Sequence, residues 1–296
     1  MPATSPFGRL LSAMVTPLHA DGSVDLDAAQ RLAAHLVDAG HDGLVVNGTT
    51  GESPTTTDAE KADLVRAVVE AVGDRARVTA GTGTNDTAHT IELTRAAVAA
   101  GADGVLLVTP YYNKPPQAGI RAHFTAVADA ADVPVMLYDI PGRSGVPITT
   151  ESLIALAAHP AITAVKDAKG DLWAATEVMS ATDLLWYAGD DAAALSHLTQ
   201  GAHGLVGVTT QVAPTVYADL FAALDAGDLA SALATHRRLV PLVNAVMNLT
   251  QGAISAKAAL RELGILESAT VRLPLVEATD DEVAALRAAL EGLDLL

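Results

Sequence analysis

Two side chains in this sequence could bond to a ketone carbon and move the protons that such a reaction needs. Lys166 ends the apolar run Ala161-Ile162-Thr163-Ala164-Val165, and Tyr138 ends Pro134-Val135-Met136-Leu137, 28 positions earlier. Runs of this kind read as buried parallel strands, so both side chains stand where a strand leaves the core. A lysine there has two uses. It can lay its stem over apolar surface and pair with a carboxylate such as Asp167, or its amine, stripped of water, can attack a carbonyl and form a Schiff base. A free lysine has a pKa near 10.4, so roughly one amine in 250 is neutral at pH 8; desolvation raises that fraction. Tyr138 is either a core tyrosine with a satisfied hydroxyl or a phenol that shuttles protons for the amine. Lys169 is the rival amine, but it sits in the loop beyond the run.

Other reactive or small residues follow neighbouring apolar runs. Gly48-Thr49-Thr50-Gly51 could aim backbone N–H groups and two hydroxyls at a carboxylate, or be a glycine turn with a threonine cap. It is not a phosphate-binding loop of the Gly-Lys-Ser/Thr kind. Arg143, in a Pro/Gly-containing loop, is either a solvated charge or a fork for a substrate carboxylate. Tyr111-Tyr112, if extended, point to opposite faces, so at most one would face a pocket. The nine His residues show no His-x-x-x-His spacing and there is no Cys, so no metal site is expected. No Gly-x-Ser-x-Gly is present, so the hydrolase nucleophile motif is missing. Asp190-Asp191 and Asp280-Asp281 read as helix-start carboxylates favoured by the dipole.

The elements that must position these residues alternate. Candidate strands are Ser12–Thr16, Gly43–Asn47, Arg77–Ala80, Gly104–Thr109, Pro134–Tyr138, Ile162–Lys166, Leu185–Ala188 and Gly204–Val208, with helical patterns between them. Asp58 and Thr149 are the clearest helix caps. Eight such units suit an α/β fold of the closed (β/α)8 TIM-barrel type over residues 1–224. The competing open, doubly wound sheet would normally carry a Gly-rich dinucleotide turn after its first strand, and Met14-Val15-Thr16-Pro17-Leu18 is not one. Beyond Asp225 the pattern is purely helical, which reads as a C-terminal helical extension, residues 225–296, packed on the barrel. In such a barrel Tyr138 and Lys166 lie on adjacent strands, at the end where barrel chemistry is found.

Composition narrows the partners. The 296 residues are 50% hydrophobic, enough for a large core, and carry a formal net charge of −17. That charge argues against nucleic acid or an anionic membrane, although a few local donors can still bind an anionic small substrate. Met1 to Phe7 has neither a basic nor an apolar leader region, and no apolar stretch reaches the roughly 18 residues of a membrane span. A cytoplasmic protein is expected.

Taken together, these strand ends resemble the pyruvate-dependent Schiff-base aldolase family. The specific motifs are Gly-Thr-Thr-Gly-Glu at 48–52, Tyr-x-x-Pro-x-Arg at 138–143, and the lysine 28 positions after that tyrosine. Within the family, the second threonine at 50 and Thr-Pro-Tyr-Tyr-Asn-Lys-Pro at 109–115 are similar to the dihydrodipicolinate synthase branch; the N-acetylneuraminate lyase branch typically has Gly-Ser-Thr-Gly-Glu. The resemblance implies that Lys166 forms a Schiff base with pyruvate, and that Tyr138, Thr49 and Tyr112 form a proton relay, Tyr112 reaching in from a neighbouring subunit. It implies that Thr50 and its backbone hold the pyruvate carboxylate, and that Arg143 engages L-aspartate-4-semialdehyde near the entrance. Gly189 and Val206 match positions whose backbone lines the pocket. A homotetramer built as a dimer of dimers is implied, with no metal or organic cofactor.

One departure concerns regulation. Lysine-inhibited members carry a His/Glu-type site, and the matching positions here are Asp58, Lys61 and His89, with Asn85 and Tyr111 compatible. A cation at Lys61 opposes a cationic effector, so weak or absent lysine feedback is expected. Two other functions remain open on the residues alone. One is a related aldolase acting on 2-keto-3-deoxy sugar acids or N-acetylneuraminate, and the other is a barrel that binds a keto acid without turnover.

Overall fold

The computed structural model describes residues 5–296; Met1–Thr4, part of the stretch inspected for a leader, lie outside it. Eight parallel strands close into a barrel in chain order: β1 (Leu10–Ala13), β2 (Gly43–Val46), β3 (Arg77–Gly81), β4 (Gly104–Val108), β5 (Val135–Asp139), β6 (Ile162–Asp167), β7 (Leu185–Ala188) and β8 (Gly204–Gly207), with β8 pairing back to β1. The helices are α1 (Leu26–Asp38), α2 (Asp58–Val72), α3 (Thr87–Ala99), α4 (Gln117–Asp129), α5 (Pro141–Ser144), α6 (Thr150–Leu156), α7 (Leu172–Ala181), α8 (Ala194–Thr199), α9 (Pro214–Asp225), α10 (Leu229–Met247), α11 (Gly252–Glu262) and α12 (Asp280–Glu291). The expected barrel with helices after it is the fold observed.

The strands are Val/Leu/Ala runs buried on both faces, as a parallel sheet covered by helices requires. One apolar cluster joins β1–β3 to α1, α2 and the C-terminal helices, and a second fills the space around β4–β6, α4, α6 and α7. Phe7 is fully buried and closes the barrel floor, its ring edge-on to Tyr187 at 6.3 Å. That closure needs a glycine at the start of β4, because a Cβ on Gly104 would meet the Phe7 ring at 2.5 Å. Burying a phenylalanine contributes about 1.5–3 kcal/mol.

Several boundaries differ from those expected. β1 begins and ends earlier than 12–16, because the backbone leaves the ladder: Met14 N still reaches Val45 O at 2.9 Å, but Val15 N turns to the Gln211 side chain at 3.0 Å. Asp58 is not the cap of α2. Thr57 is, in a reciprocal capping box with Glu60, and Asp58 occupies the first turn. Thr149 does cap α6, accepting from Ser152 N.

The helices after α9 are integral to the packing. α12 lies against α10 and α11, and α11 is buried along most of its length. Among the described residues no single helix is long and apolar enough to cross a membrane. Only α10 and α11 taken together have the composition, and they are bent by 114°.

Candidate active site

Two adjoining cavities open at the C-terminal ends of the strands. The inner, about 120 Å³, is lined by Lys166, Tyr138, Thr49, Thr50, Arg143 and Gly189, among others. The outer, about 680 Å³, shares Thr49, Tyr138 and Arg143 with it. Six of the eight residues singled out from the sequence therefore meet at one place.

The pair at the centre is set by the sheet. Tyr138 and Lys166 are register partners on β5 and β6, and the Lys166 ammonium nitrogen lies 4.2 Å from the centre of the Tyr138 ring. Lys166 is only 4% exposed. Burial lowers its pKa to about 8; Asp191 opposes the fall and Arg143 adds to it. Burial raises the Tyr138 phenol to about 12, with Arg143 and the Thr49 hydroxyl acting the other way. Near pH 8 the site thus offers an amine about half neutral beside a protonated phenol. The ion pair with Asp167 that the sequence allowed does not form. Asp167 instead accepts from Lys169 N at 2.7 Å, and its other oxygen lies 3.9 Å from His197. The rival Lys169 is turned to Asp139, 3.6 Å away.

The turn after β2 is tight and strained. Asn47 (φ 57°) and Glu52 (φ 55°) are both left-handed although neither is glycine. Between them Glu52 N donates to Thr49 O at 3.1 Å, Ser53 N to Gly48 O at 3.3 Å, and Thr16 Oγ1 to Gly51 O at 2.7 Å. Arg143 sits on α5, a single turn started by Pro141, and lines both cavities. Gly189 presses on the lysine stem: a Cβ there would lie 2.9 Å from Lys166 Cγ.

Two expected residues are placed differently. Tyr112 is 89% exposed at the rim of the outer cavity and does not reach the inner one within this chain. The Tyr111–Tyr112 segment is not extended, since Tyr112 has φ 72°, and both residues border the outer cavity. The expectation that only one could do so fails because the backbone turns there. Val206 is wholly buried within β8, and Val208, two residues on, is the valine that lines the inner cavity.

Three contributors were not read from the sequence. Asp191 does open a helical turn, the single 3-10 turn Asp191–Ala193, but its carboxylate is buried and serves another element. It accepts from Val208 N and Thr209 N at 3.0 and 2.9 Å and so fixes the end of β8, while Asp190 takes the capping role at Ala192 N. Met247, at the end of α10, lines the inner cavity. Lys257 of α11 is fully buried and ion-paired with Glu52. The signal for Lys257 was present, as a lone cation inside the small, apolar run Gly252–Leu260.

Asp58, Lys61 and His89 line the outer cavity together with Asn85 and Tyr111. Lys61 donates to Thr56 O at 2.5 Å and lies 3.8 Å from Asp58, which also meets His89 at 2.9 Å. Burial lowers the pKa of Lys61, with Asp58 and Glu60 opposing.

Comparison with known proteins points to one family. The model of the dihydrodipicolinate synthetase family matches residues 6–293. The 4-hydroxy-tetrahydrodipicolinate synthase of Kineococcus radiotolerans is 61% identical over 290 residues, which cover 97% of this chain and 94% of that protein. The enzyme of Cyanidioschyzon merolae, solved with lysine bound, is 43% identical with a TM-score of 0.95, covering 98% of this chain and 99% of that one. The dihydrodipicolinate synthase of Acinetobacter baumannii, solved in complex with pyruvate, is 34% identical with a TM-score of 0.94, covering 98% of this chain and 100% of that one. In sequence and in fold alike, this chain belongs to the dihydrodipicolinate synthetase family.

Proposed function

We propose that this chain is a 4-hydroxy-tetrahydrodipicolinate synthase, condensing pyruvate with L-aspartate-4-semialdehyde on the amine of Lys166, a step of lysine and diaminopimelate biosynthesis. The observation that carries the reading is the buried Lys166 amine lying over the Tyr138 phenol inside a small strand-end cavity. The names of the relatives that match along the whole chain support it.

In this reading the pyruvate carboxylate rests on the Thr49–Thr50 turn, which places its ketone against Lys166. The neutral amine attacks the carbonyl carbon, and Tyr138, relayed through Thr49, returns the proton that the carbinolamine needs and supplies the one that leaves with water. The resulting protonated imine withdraws electrons, so a methyl proton is lost and an enamine forms. That carbon attacks the aldehyde, whose own carboxylate is met by Arg143. Attack of the substrate's amino group on the imine carbon then closes the ring and releases Lys166. These steps call for no metal or organic cofactor.

Tyr112 completes the relay from a neighbouring subunit of a homotetramer, which accounts for an exposed aromatic at the rim. The segment 225–296 works as part of the same catalytic unit, and the enzyme acts in the cytoplasm. Borohydride added with pyruvate, followed by intact mass, tests the first half-reaction. The expected result is one reduced pyruvyl adduct on the chain, absent from Lys166→Ala. An adduct that survives Lys166→Ala overturns the assignment. Turnover with sugar acids but not with aspartate semialdehyde would overturn the choice of second substrate.

A further inference from the structure

The run Gly252–Leu260 of α11 is buried at every position, and Lys257 is its one charged residue. Its ammonium donates to Glu52 and to Thr270 O, the latter at 2.7 Å. Glu52 is equally enclosed, and its second oxygen accepts from Arg272 N at 2.8 Å. The carboxylate of Glu52 is therefore held entirely by residues that follow the barrel. Arg272 adds a second tether, donating twice to Glu60 at 2.5 and 2.8 Å and also to Thr55 O and Gly22 O.

A buried ion pair is an expensive way to gain stability, because an apolar pair of similar volume usually serves as well or better. What such a pair does provide is a fixed position. Here the position fixed is that of a residue in an unfavourable left-handed conformation that closes the turn after β2. Glu52 N bonds Thr49 O and Ser53 N bonds Gly48 O, so movement of Glu52 passes directly into the backbone facing the inner cavity. The same helix borders the cavity wall at its N-terminal end, where Gly252 neighbours Val208 and Met247, both lining residues.

We propose that Lys257 and Glu52 are positioning residues for pyruvate: the C-terminal helix holds the Gly48–Glu52 turn in the shape that receives the keto-acid carboxylate. The proposal rests on the reading of that turn as the carboxylate site, and Thr50→Ala tests the reading separately. Neither Lys257 nor Glu52 touches substrate; they act through the backbone of Thr49 and Thr50.

The experiment compares Lys257→Met, the double variant Glu52→Gln/Lys257→Met, and Thr50→Ala. Each is measured for melting temperature, for the pyruvate concentration giving half-maximal borohydride-trapped adduct, and for the KM of aspartate semialdehyde. Lys257→Met leaves a buried carboxylate without its cation, so its melting temperature falls and its half-maximal pyruvate concentration rises tenfold or more. The KM for the second substrate changes by less than twofold. In the double variant both groups are neutral and the melting temperature recovers, yet the pyruvate requirement stays high because the turn has lost its tie to α11. That split is what a purely structural role would not produce. A pyruvate requirement that returns to its starting value together with the melting temperature overturns the proposal, as does a folded Lys257→Met with an unchanged requirement. A double variant that fails to fold assigns the pair to stability alone and also overturns it. If Thr50→Ala leaves the pyruvate requirement unchanged, the reading of the turn itself falls; if it raises the requirement while the Lys257 variants do not, only the clamp falls.

Discussion

The depressed pKa of Lys166 predicts how fast the pyruvate adduct forms at each pH. Only the neutral amine attacks, and burial brings its pKa from 10.5 to about 8. At pH 7 about one amine in ten is then neutral, against roughly three in ten thousand for an unperturbed lysine, a gain of about 300-fold. The same shift corresponds to about 3 kcal/mol of lost preference for the charged form. The sign is definite: a fall in pKa moves the rising limb of the profile to lower pH. With pyruvate subsaturating and the reaction quenched in borohydride, the trapping rate should climb nearly tenfold per unit between pH 6 and about 7. It should then bend near pH 8 and stay level above 9. Arg143→Gln should move the bend upward, since the guanidinium helps to hold the amine neutral. A rate still climbing through pH 10 would show that the amine is solvated like a surface lysine, and the argument from burial would be refuted.

Three further outcomes follow from the same geometry. Tyr138→Phe keeps the ring beneath the amine but removes the proton carrier, so kcat should fall by about 10²–10⁴-fold, measured in a coupled assay; a loss under threefold would take the phenol out of the relay. Gly189→Ala puts a methyl 2.9 Å from Lys166 Cγ and 3.0 Å from the Asp167 backbone, neither of which can retreat freely. Adduct formation should drop at least tenfold, with about 1–3 kcal/mol lost in stability from overpacking, and a variant of normal activity and melting temperature would contradict the close approach. Lysine should inhibit weakly or not at all, since Lys61 places a cation among the residues lining the outer cavity. Asp58, 3.8 Å from Lys61, offsets part of the repulsion, so it falls below the roughly 1–4 kcal/mol of two bare like charges about 4 Å apart. Half-inhibition by submillimolar lysine in a steady-state assay would reverse that conclusion.

What the sequence made legible was whatever is written locally. Lys166 and Tyr138 each close an apolar run, so the strand end and the reactive group are read from the same handful of residues, and the barrel makes them neighbours. Arg143 and the Thr49–Thr50 turn are similarly announced by the glycines and prolines around them. The features that stayed hidden are set by tertiary contacts. Lys257 and Glu52 are 205 positions apart, and no periodicity links them. Asp191 carries the sign of a helix start, but the turn it opens is packed against β8, and the backbone N–H groups of Val208 and Thr209 claim its carboxylate. Tyr112 misled because a two-residue alternation presumes an extended chain, whereas the backbone there turns through a left-handed residue.

The ladder between β5 and β6 has a consequence for how such a site can diverge. The phenol and the amine are aligned by strand register, Tyr138 with Lys166 and Asp139 with Asp167, and owe nothing to the length of chain that joins them. Residues 140–161 can therefore gain or lose helical turns, and recruit new groups to greet a different aldehyde, while the bond-making pair keeps its spacing. Selectivity and chemistry sit on separately adjustable parts of the same hairpin-free crossover.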